Sequence, residues 1–215
     1  MEQREARFAK INRIFLAFYY LFSAVLIVVY AIQKDGYHLG ISIGTLAIPP
    51  ALALFYRITR LKRVHQLDFL ILAFTFLAYP LGSCLDFYRI LPGFDKVAHT
   101  LSGVFVSVLC LVLYYFLKPG HAVEARDAAL AMVFTFFGSM AVAGMWEIAE
   151  YLISFVVGLD LQRVAATGVS DSMQDMIVCM IGTIVTLPFV HRLCHGKTDP
   201  LTGAVSAFVE LNLKG

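Results

Sequence analysis

Six long apolar runs, separated by short polar segments, constrain the fold of this chain more than any other feature. A helix needs about 20 mostly apolar residues to cross the hydrocarbon core of a membrane. The runs are Ile14–Ile32, Leu39–Tyr56, Phe69–Leu85, Val97–Leu117, Ala128–Leu159 and Ser172–Val190. They predict an all-α, polytopic bundle of six transmembrane helices that forms a single domain over residues 1–200.

The composition supports this interpretation. Hydrophobic residues make up 60% of the chain and charged residues 15%, whereas soluble domains average about 45–50% and about 25%. The surface of a soluble domain needs more polar residues than this sequence supplies. Pro49, Pro50 and Pro80 fall inside the second and third runs and predict kinks there, because proline removes a backbone hydrogen bond.

The fifth run is too long for one simple span, and it contains two carboxylates, Glu147 and Glu150. Two arrangements follow. The helix ends near residue 150, which gives a span at 128–150, or it continues in a tilted course past the membrane surface. The other predicted spans lie at 14–32, 39–56, 69–85, 97–117 and 172–190.

Basic residues are distributed unevenly between the two sides of this predicted topology. Of the 17 lysines and arginines, 13 flank the cytoplasmic side, and four lie on the other: Lys34, Arg89, Lys96 and Arg163. The positive-inside rule then places both termini in the cytoplasm, with residues 201–215 as a cytoplasmic tail. This tail is expected to form an interfacial helix or a short packing helix. The sequence contains no basic motif with interleaved aromatics, so it predicts no nucleic-acid partner.

Ionisable residues concentrate at the outer ends of the last three predicted spans. Spacings of three or four residues place two side chains on one helical face. Three such pairs occur, with Asp86 and Asp160 in adjoining loops: Asp95 with His99, Glu147 with Glu150, and Asp171 with Asp175. Because uncompensated charge near hydrocarbon is costly, these groups are expected to face the bundle interior or water.

The carboxylates outnumber the outer cations, so protons or a metal ion are expected to neutralise the rest. Carboxylate oxygens with one imidazole suit Mg²⁺, Mn²⁺, Ca²⁺ or Zn²⁺. The predicted metal ligands are Asp95, His99, Glu147, Asp171 and Asp175, with Glu150 as a catalytic base.

Each residue also has an ordinary structural interpretation. Asp171 follows Ser170 at a helix start and could cap backbone amides. Asp95 with Lys96 could form a surface ion pair of little consequence, as could Asp160 with Arg163. His99 alone is more often a hydrogen-bonded interior residue than a ligand. The clustering of the set favours a functional site, because ionisable residues inside membranes are rare.

Three segments carry a resemblance: FDKVAH from Phe94, WEIAEY from Trp146 and GVSDSMQDM from Gly168. In this order they resemble the uncharacterised YjdF-like bacterial inner-membrane proteins. The D-K-x-x-H element is also similar to VanZ-type membrane proteins, whose later Glu-Gln element is missing here. The resemblance implies the same topology and the same site residues, and it implies no activity. Val169 stands where YjdF-like proteins carry the first aspartate of the third element.

Three functions remain open at this point. The first is a metal-dependent membrane enzyme that acts on a lipid-linked or other envelope precursor at the outer face of the bacterial inner membrane. The second is a small transporter coupled to cations or protons. The third is a scaffold or accessory subunit. No second polar cluster is expected in the inner half of the spans, which counts against transport.

Overall fold

The structure is a computed structural model that describes residues 2–162 and 164–214, and in these residues every regular element is a helix. The α-helices are α1 (Glu2–Gln33), α2 (Gly36–Thr45), α3 (Ile48–Thr59), α4 (His65–Phe76), α5 (Phe87–Ile90), α6 (Phe94–Leu117), α7 (Ala128–Val157), α8 (Val164–Thr167), α9 (Ser170–Cys194) and α10 (Gly203–Asn212). A π-helical segment, Leu77–Cys84, continues α4. Single 3₁₀ turns, Pro119–His121 and Ala125–Asp127, precede α7.

Six helical segments within the described ranges are long and apolar enough to cross a membrane, which confirms the predicted all-α fold with six spans. They are Glu2–Gln33, Gly36–Thr59, His65–Cys84, Phe94–Leu117, Ala125–Val157 and Ser170–Cys194. All six begin earlier than the apolar runs do, because a helix continues through polar residues for as long as its backbone hydrogen bonds continue. The fifth segment passes Glu150 without a break and ends at Val157.

The prolines interrupt the second and third segments where the sequence predicts. Pro49 lies at the start of α3, directly after the break that separates it from α2. Pro80 lies inside the π-helical segment, where the wider turn accommodates a residue that cannot donate a backbone hydrogen bond.

The chain divides into two compact units, one comprising residues 1–95 with 206–215 and the other residues 96–205. In the first, α1 packs on α4 through aromatic side chains. Phe76 has its ring centroid 5.6 Å from those of Phe15 and Tyr19. Tyr19 is fully buried, and its hydroxyl donates to the Thr45 carbonyl oxygen at 3.2 Å. At the end of α10, Asn212 and Lys62 exchange two hydrogen bonds of 2.6 and 3.1 Å.

In the second unit, α6, α7 and α9 meet at small and polar residues. A Cβ on Gly103 would collide with the Cys179 carbonyl oxygen, and a Cβ on Gly182 would collide with the Thr100 carbonyl oxygen. Helices α6 and α9 therefore approach each other closely only because glycine occupies both positions. Since lipid is as apolar as a leucine side chain, such close packing and polar contacts hold membrane helices together.

A hydroxyl contact joins the third helix to this pair. The Ser139 and Thr183 hydroxyls lie 2.8 Å apart, and both approach the Gly103 carbonyl oxygen, at 3.5 and 3.4 Å. This contact places α6, α7 and α9 at a common depth and so positions the residues nearer the ends of the helices.

Candidate functional site

The first turns of α6 supply three of the side chains at the site. Asp95 and His99 are four residues apart and lie on one face of the helix, as their spacing predicts. Lys96 lies between them in sequence, about 100° around the helix axis from Asp95. The carboxylate of Asp95 is also favoured electrostatically by its place in the first turn of the helix.

The start of α9 supplies two buried carboxylates. Asp171 and Asp175 are 8% and 5% exposed and, again four apart, share a face of the helix. Both meet the Lys96 ammonium group, whose Nζ lies 2.8 Å from Asp171 Oδ1 and 2.8 Å from Asp175 Oδ1. The same Nζ also approaches the Asp171 carbonyl oxygen at 3.4 Å. One lysine thus joins two carboxylates of the neighbouring helix.

This pairing bears on two of the structural interpretations. One of them considered Lys96 only as a surface partner of Asp95, and the structure places its ammonium group against Asp171 and Asp175. The other allowed Asp171 to cap the helix, and the residue at the N-cap position of α9 is Val169, without a side-chain hydrogen bond. The reason is electrostatic: a carboxylate this deeply buried gains more from an ammonium group than from backbone amides.

The geometry also identifies a group that could hold a metal ion. Asp95, His99 and Asp175 each offer one ligand atom, and these atoms all lie within 4.8 Å of one another. It is the one such group of three that the described part of the chain contains. Within it, His99 Nε2 lies 3.8 Å from Asp175 Oδ1. Two ligands of one ion at about 2.1 Å are about 3–4.2 Å apart, so small side-chain movements would close the group around an ion.

We define the acidic cluster as Asp95, Lys96, His99, Asp171 and Asp175. Taken by themselves, these five side chains comprise three carboxylates and one ammonium group, a formal charge of −2 when His99 is neutral. A partly buried region of negative charge attracts a cation.

The structure places the two glutamates apart from this group. Glu147 is buried, and its carboxylate accepts a hydrogen bond from Gln162 Nε2 at 3.2 Å. Glu150, one turn further along α7, accepts from the Trp146 indole nitrogen at 2.8 Å. Neither belongs to the group of three ligand atoms. Gln162, which the sequence pattern did not single out, also donates to the Glu147 carbonyl oxygen at 3.0 Å.

The loop aspartates have local structural partners. Asp160 accepts hydrogen bonds from the backbone of Val164 and Ala165, both at 2.8 Å, and so caps α8. Its predicted partner Arg163 lies outside the described residues. Asp86 forms an exposed ion pair with Arg89 at 3.4 Å.

A polar group in the first unit was missed by the sequence reasoning. Asp68, 2% exposed, is joined to Arg63 Nε at 3.1 Å. Nearby on the same helix, the His65 carbonyl oxygen accepts from buried Asn12 at 2.7 Å, and Glu5 accepts from the His65 amide at 2.6 Å. The hydropathy pattern does not show this polar group, because α4 begins at His65, one turn before the apolar run, and so includes Asp68 in the third segment.

Comparison with known proteins supplies a family and no relative of known activity. No curated protein and no solved structure matches the chain. The model of one family, described as "Predicted membrane protein (DUF2238)", matches residues 14–196, which include every residue of the acidic cluster. Because the match covers most of the sequence, this six-helix chain belongs to the DUF2238 family of membrane proteins.

Proposed function

We propose that Asp95, His99 and Asp175 bind a divalent metal ion, and that the protein is a metal-dependent membrane enzyme acting on a lipid or another envelope precursor. The observation that carries the proposal is the convergence of three ligand atoms within 4.8 Å from two different helices. Two carboxylates and one imidazole suit Mg²⁺, Mn²⁺, Ca²⁺ or Zn²⁺.

Each remaining residue of the site has a defined part in this proposal. Lys96 holds the Asp175 carboxylate in place and keeps Asp171 beside it. Glu147 is restrained by Gln162, and Glu150 is the candidate base. A bound divalent ion would supply a water molecule of lowered pKa or polarise a substrate oxygen.

The cellular setting belongs to the same proposal. The excess of basic residues on one side supports cytoplasmic termini and a site at the outer face of a bacterial inner membrane. The three sequence elements support a relation to YjdF-like proteins and, through D-K-x-x-H, to VanZ-type proteins. If the aspartate of those proteins belongs to a shared site, Val169 at the start of α9 makes the site here reduced or differently arranged.

Metal analysis of the purified protein tests the proposal. We expect about one divalent ion per wild-type chain after equilibration with each of the four metals, followed by removal of free ions. His99→Ala and Asp175→Asn should lose it. Glu150→Gln is the matched control, because it removes a carboxylate outside the ligand group, and it should retain the metal. A wild-type protein that retains none of the four metals contradicts the proposal.

A scaffold function has one specific observation in its favour. The two ion pairs of Lys96 already cross-link α6 to α9. In that case His99→Ala and Asp175→Asn would lower thermal stability and leave both metal content and cellular activity unchanged.

A further inference from the structure

The far end of α7 extends beyond its two neighbours. The contact between Ser139 and Thr183 fixes a common depth. From there, at 1.5 Å per residue, α7 continues for about 27 Å to Val157, whereas α9 covers about 20 Å to Ser170. Measured from Gly103, α6 covers about 14 Å to Phe94. The last turns of α7 therefore stand about 7–13 Å above the starts of the other helices.

Beyond its end, the chain folds back on α7. Gly158 adopts a positive φ of 68° and ends the helix. The Leu161 amide then donates to the Ser154 hydroxyl at 3.2 Å, and Gln162 reaches Glu147. We call residues 148–162 the α7 hairpin.

Between Glu150 and Asp160 the exposed surface of this hairpin is mainly apolar. No charged residue occurs between Glu150 and Asp160. Phe155 and Val156 are 72% and 86% exposed. The other large exposed apolar side chains of the hairpin are Ile148, Tyr151, Leu152, Ile153, Val157 and Leu159. Exposure of so many apolar side chains to water is unfavourable, so lipid or protein is expected to cover them.

We propose that the α7 hairpin is embedded in the bilayer, at the boundary between head groups and acyl chains, on the membrane face that carries the acidic cluster. The length of α7 supports this location in the bilayer. Its 30 residues span about 45 Å, and at the average tilt of about 20° they cover about 42 Å of membrane depth. A bilayer with its head-group regions is about 40–45 Å thick.

The distribution of exposed side chains favours lipid over a protein partner. An interface between proteins in water has a polar rim. Here the apolar surface continues without a rim into the exposed residues of the middle of α7, such as Phe137 and Met145. Val97 at the start of α6 and Val169 beside the start of α9 are exposed apolar side chains as well.

This placement specifies the substrate class of the acidic cluster. With the hairpin among the head groups, the starts of α6 and α9 lie at or just below that layer, and a membrane lipid reaches them laterally with its head group. This last step rests on the proposed metal-dependent function. The position of the hairpin does not rest on that function, so it is tested on protein without added metal.

Trp146 makes the test possible in the unmodified protein, because it is the single tryptophan, lies two residues before the hairpin, and is 46% exposed. The protein is reconstituted in phosphatidylcholine vesicles whose acyl chains carry bromine near the glycerol, at mid-chain or near the chain end. Because α7 covers about 42 Å of membrane depth, residue 146 lies about 5 Å from the bilayer middle. We therefore expect bromine at mid-chain or near the chain end to quench Trp146 fluorescence more than bromine near the glycerol does. Aqueous iodide should quench it several-fold less than it quenches a free tryptophan derivative.

Two variants in a Trp146→Phe background extend the measurement along one helix. Phe155→Trp reports the tip of the hairpin, about 13 Å further out than residue 146, and should respond most to bromine near the glycerol. Phe137→Trp, 66% exposed near the middle of α7, is the matched control. It should resemble Trp146 and respond more to bromine at mid-chain or near the chain end than to bromine near the glycerol. If Phe155→Trp disturbs folding, as judged by helix content, Val156→Trp replaces it.

Two results overturn the proposal. Strong iodide quenching at residue 155 with no effect of brominated lipid places the hairpin in water. Protection from both quenchers shows that another protein, or a second copy of this chain, covers it. Neither result bears on metal content, so failure here is distinguishable from failure of the proposed function.

Discussion

Replacing Lys96 with methionine tests whether this lysine is the internal counter-ion of the acidic cluster. The side chain is one-quarter exposed, whereas those of Asp171 and Asp175 are 10% and 7% exposed. Methionine keeps much of the apolar stem and removes the ammonium group. The variant therefore leaves two buried carboxylates without the cation that both contact.

The expected cost follows from these distances. At an effective dielectric constant of about 20, each 2.8 Å pair attracts by about 6 kcal/mol, and desolvation of the charges cancels much of this. Removing one partner of a buried pair costs about 3–5 kcal/mol. Because water reaches part of Lys96, we expect the free energy of unfolding to fall by about 2–4 kcal/mol.

Unfolding by sodium dodecyl sulfate in mixed micelles, followed by circular dichroism, measures the change. Lys214→Met is the matched control, because Lys214 forms an exposed pair with Glu210 at 3.7 Å and should cost less than about 0.5 kcal/mol. Adding Asp171→Asn to Lys96→Met should restore part of the stability, since it removes one of the stranded charges. An effect of Lys96→Met no larger than that of the control refutes the counter-ion role.

Three further predictions concern packing, hydrogen bonding and pH. Gly103→Ala should destabilise the protein by about 1–3 kcal/mol, because its Cβ meets a backbone oxygen. Gly144→Ala is the control, because its Cβ enters open space and should not destabilise the protein. Unfolding titrations compare the two variants, and equal effects contradict the close approach of α6 and α9. Thr183→Val should cost about 1–3 kcal/mol, because it removes the 2.8 Å contact with the buried Ser139 hydroxyl and leaves Ser139 only its 3.5 Å approach to the Gly103 carbonyl oxygen. A double-mutant cycle with Ser139→Ala should show coupling. The His38 backbone amide lowers the pKa of Asp35. The resulting stabilisation is present above the ordinary carboxyl pKa and should be lost as pH falls through the lowered pKa, which gives a step in the pH dependence of the melting temperature. Asp35→Asn should abolish this step.

Much of the fold follows directly from the sequence, because the spans are long, apolar and separated by short loops. The prolines also act locally and break the second and third segments where the pattern predicts. The helix ends were less predictable. The third apolar run begins at Phe69, whereas α4 begins four residues earlier, at His65. Hydropathy does not indicate this start, since the first turn of a helix depends on local hydrogen bonds rather than on apolarity.

For the acidic cluster, spacing correctly indicated which residues share a helical face and did not indicate which neighbouring helix that face meets. Asp171 and Asp175 lie together on α9, and the structure joins them to Lys96. Glu147 looks equivalent by spacing, yet its carboxylate meets Gln162. Such partnerships depend on helix rotation and on the course of loops, and both are tertiary properties.

The reciprocal hydrogen bonds between Lys62 and Asn212 have a consequence for biogenesis. The two residues are 150 positions apart in the chain. At synthesis rates of about 5–20 residues per second, Lys62 is incorporated about 8–30 s before Asn212. The loop between α3 and α4 therefore gains these bonds only after all six spans have been synthesised, and a ribosome that stalls before residue 212 leaves the loop without them.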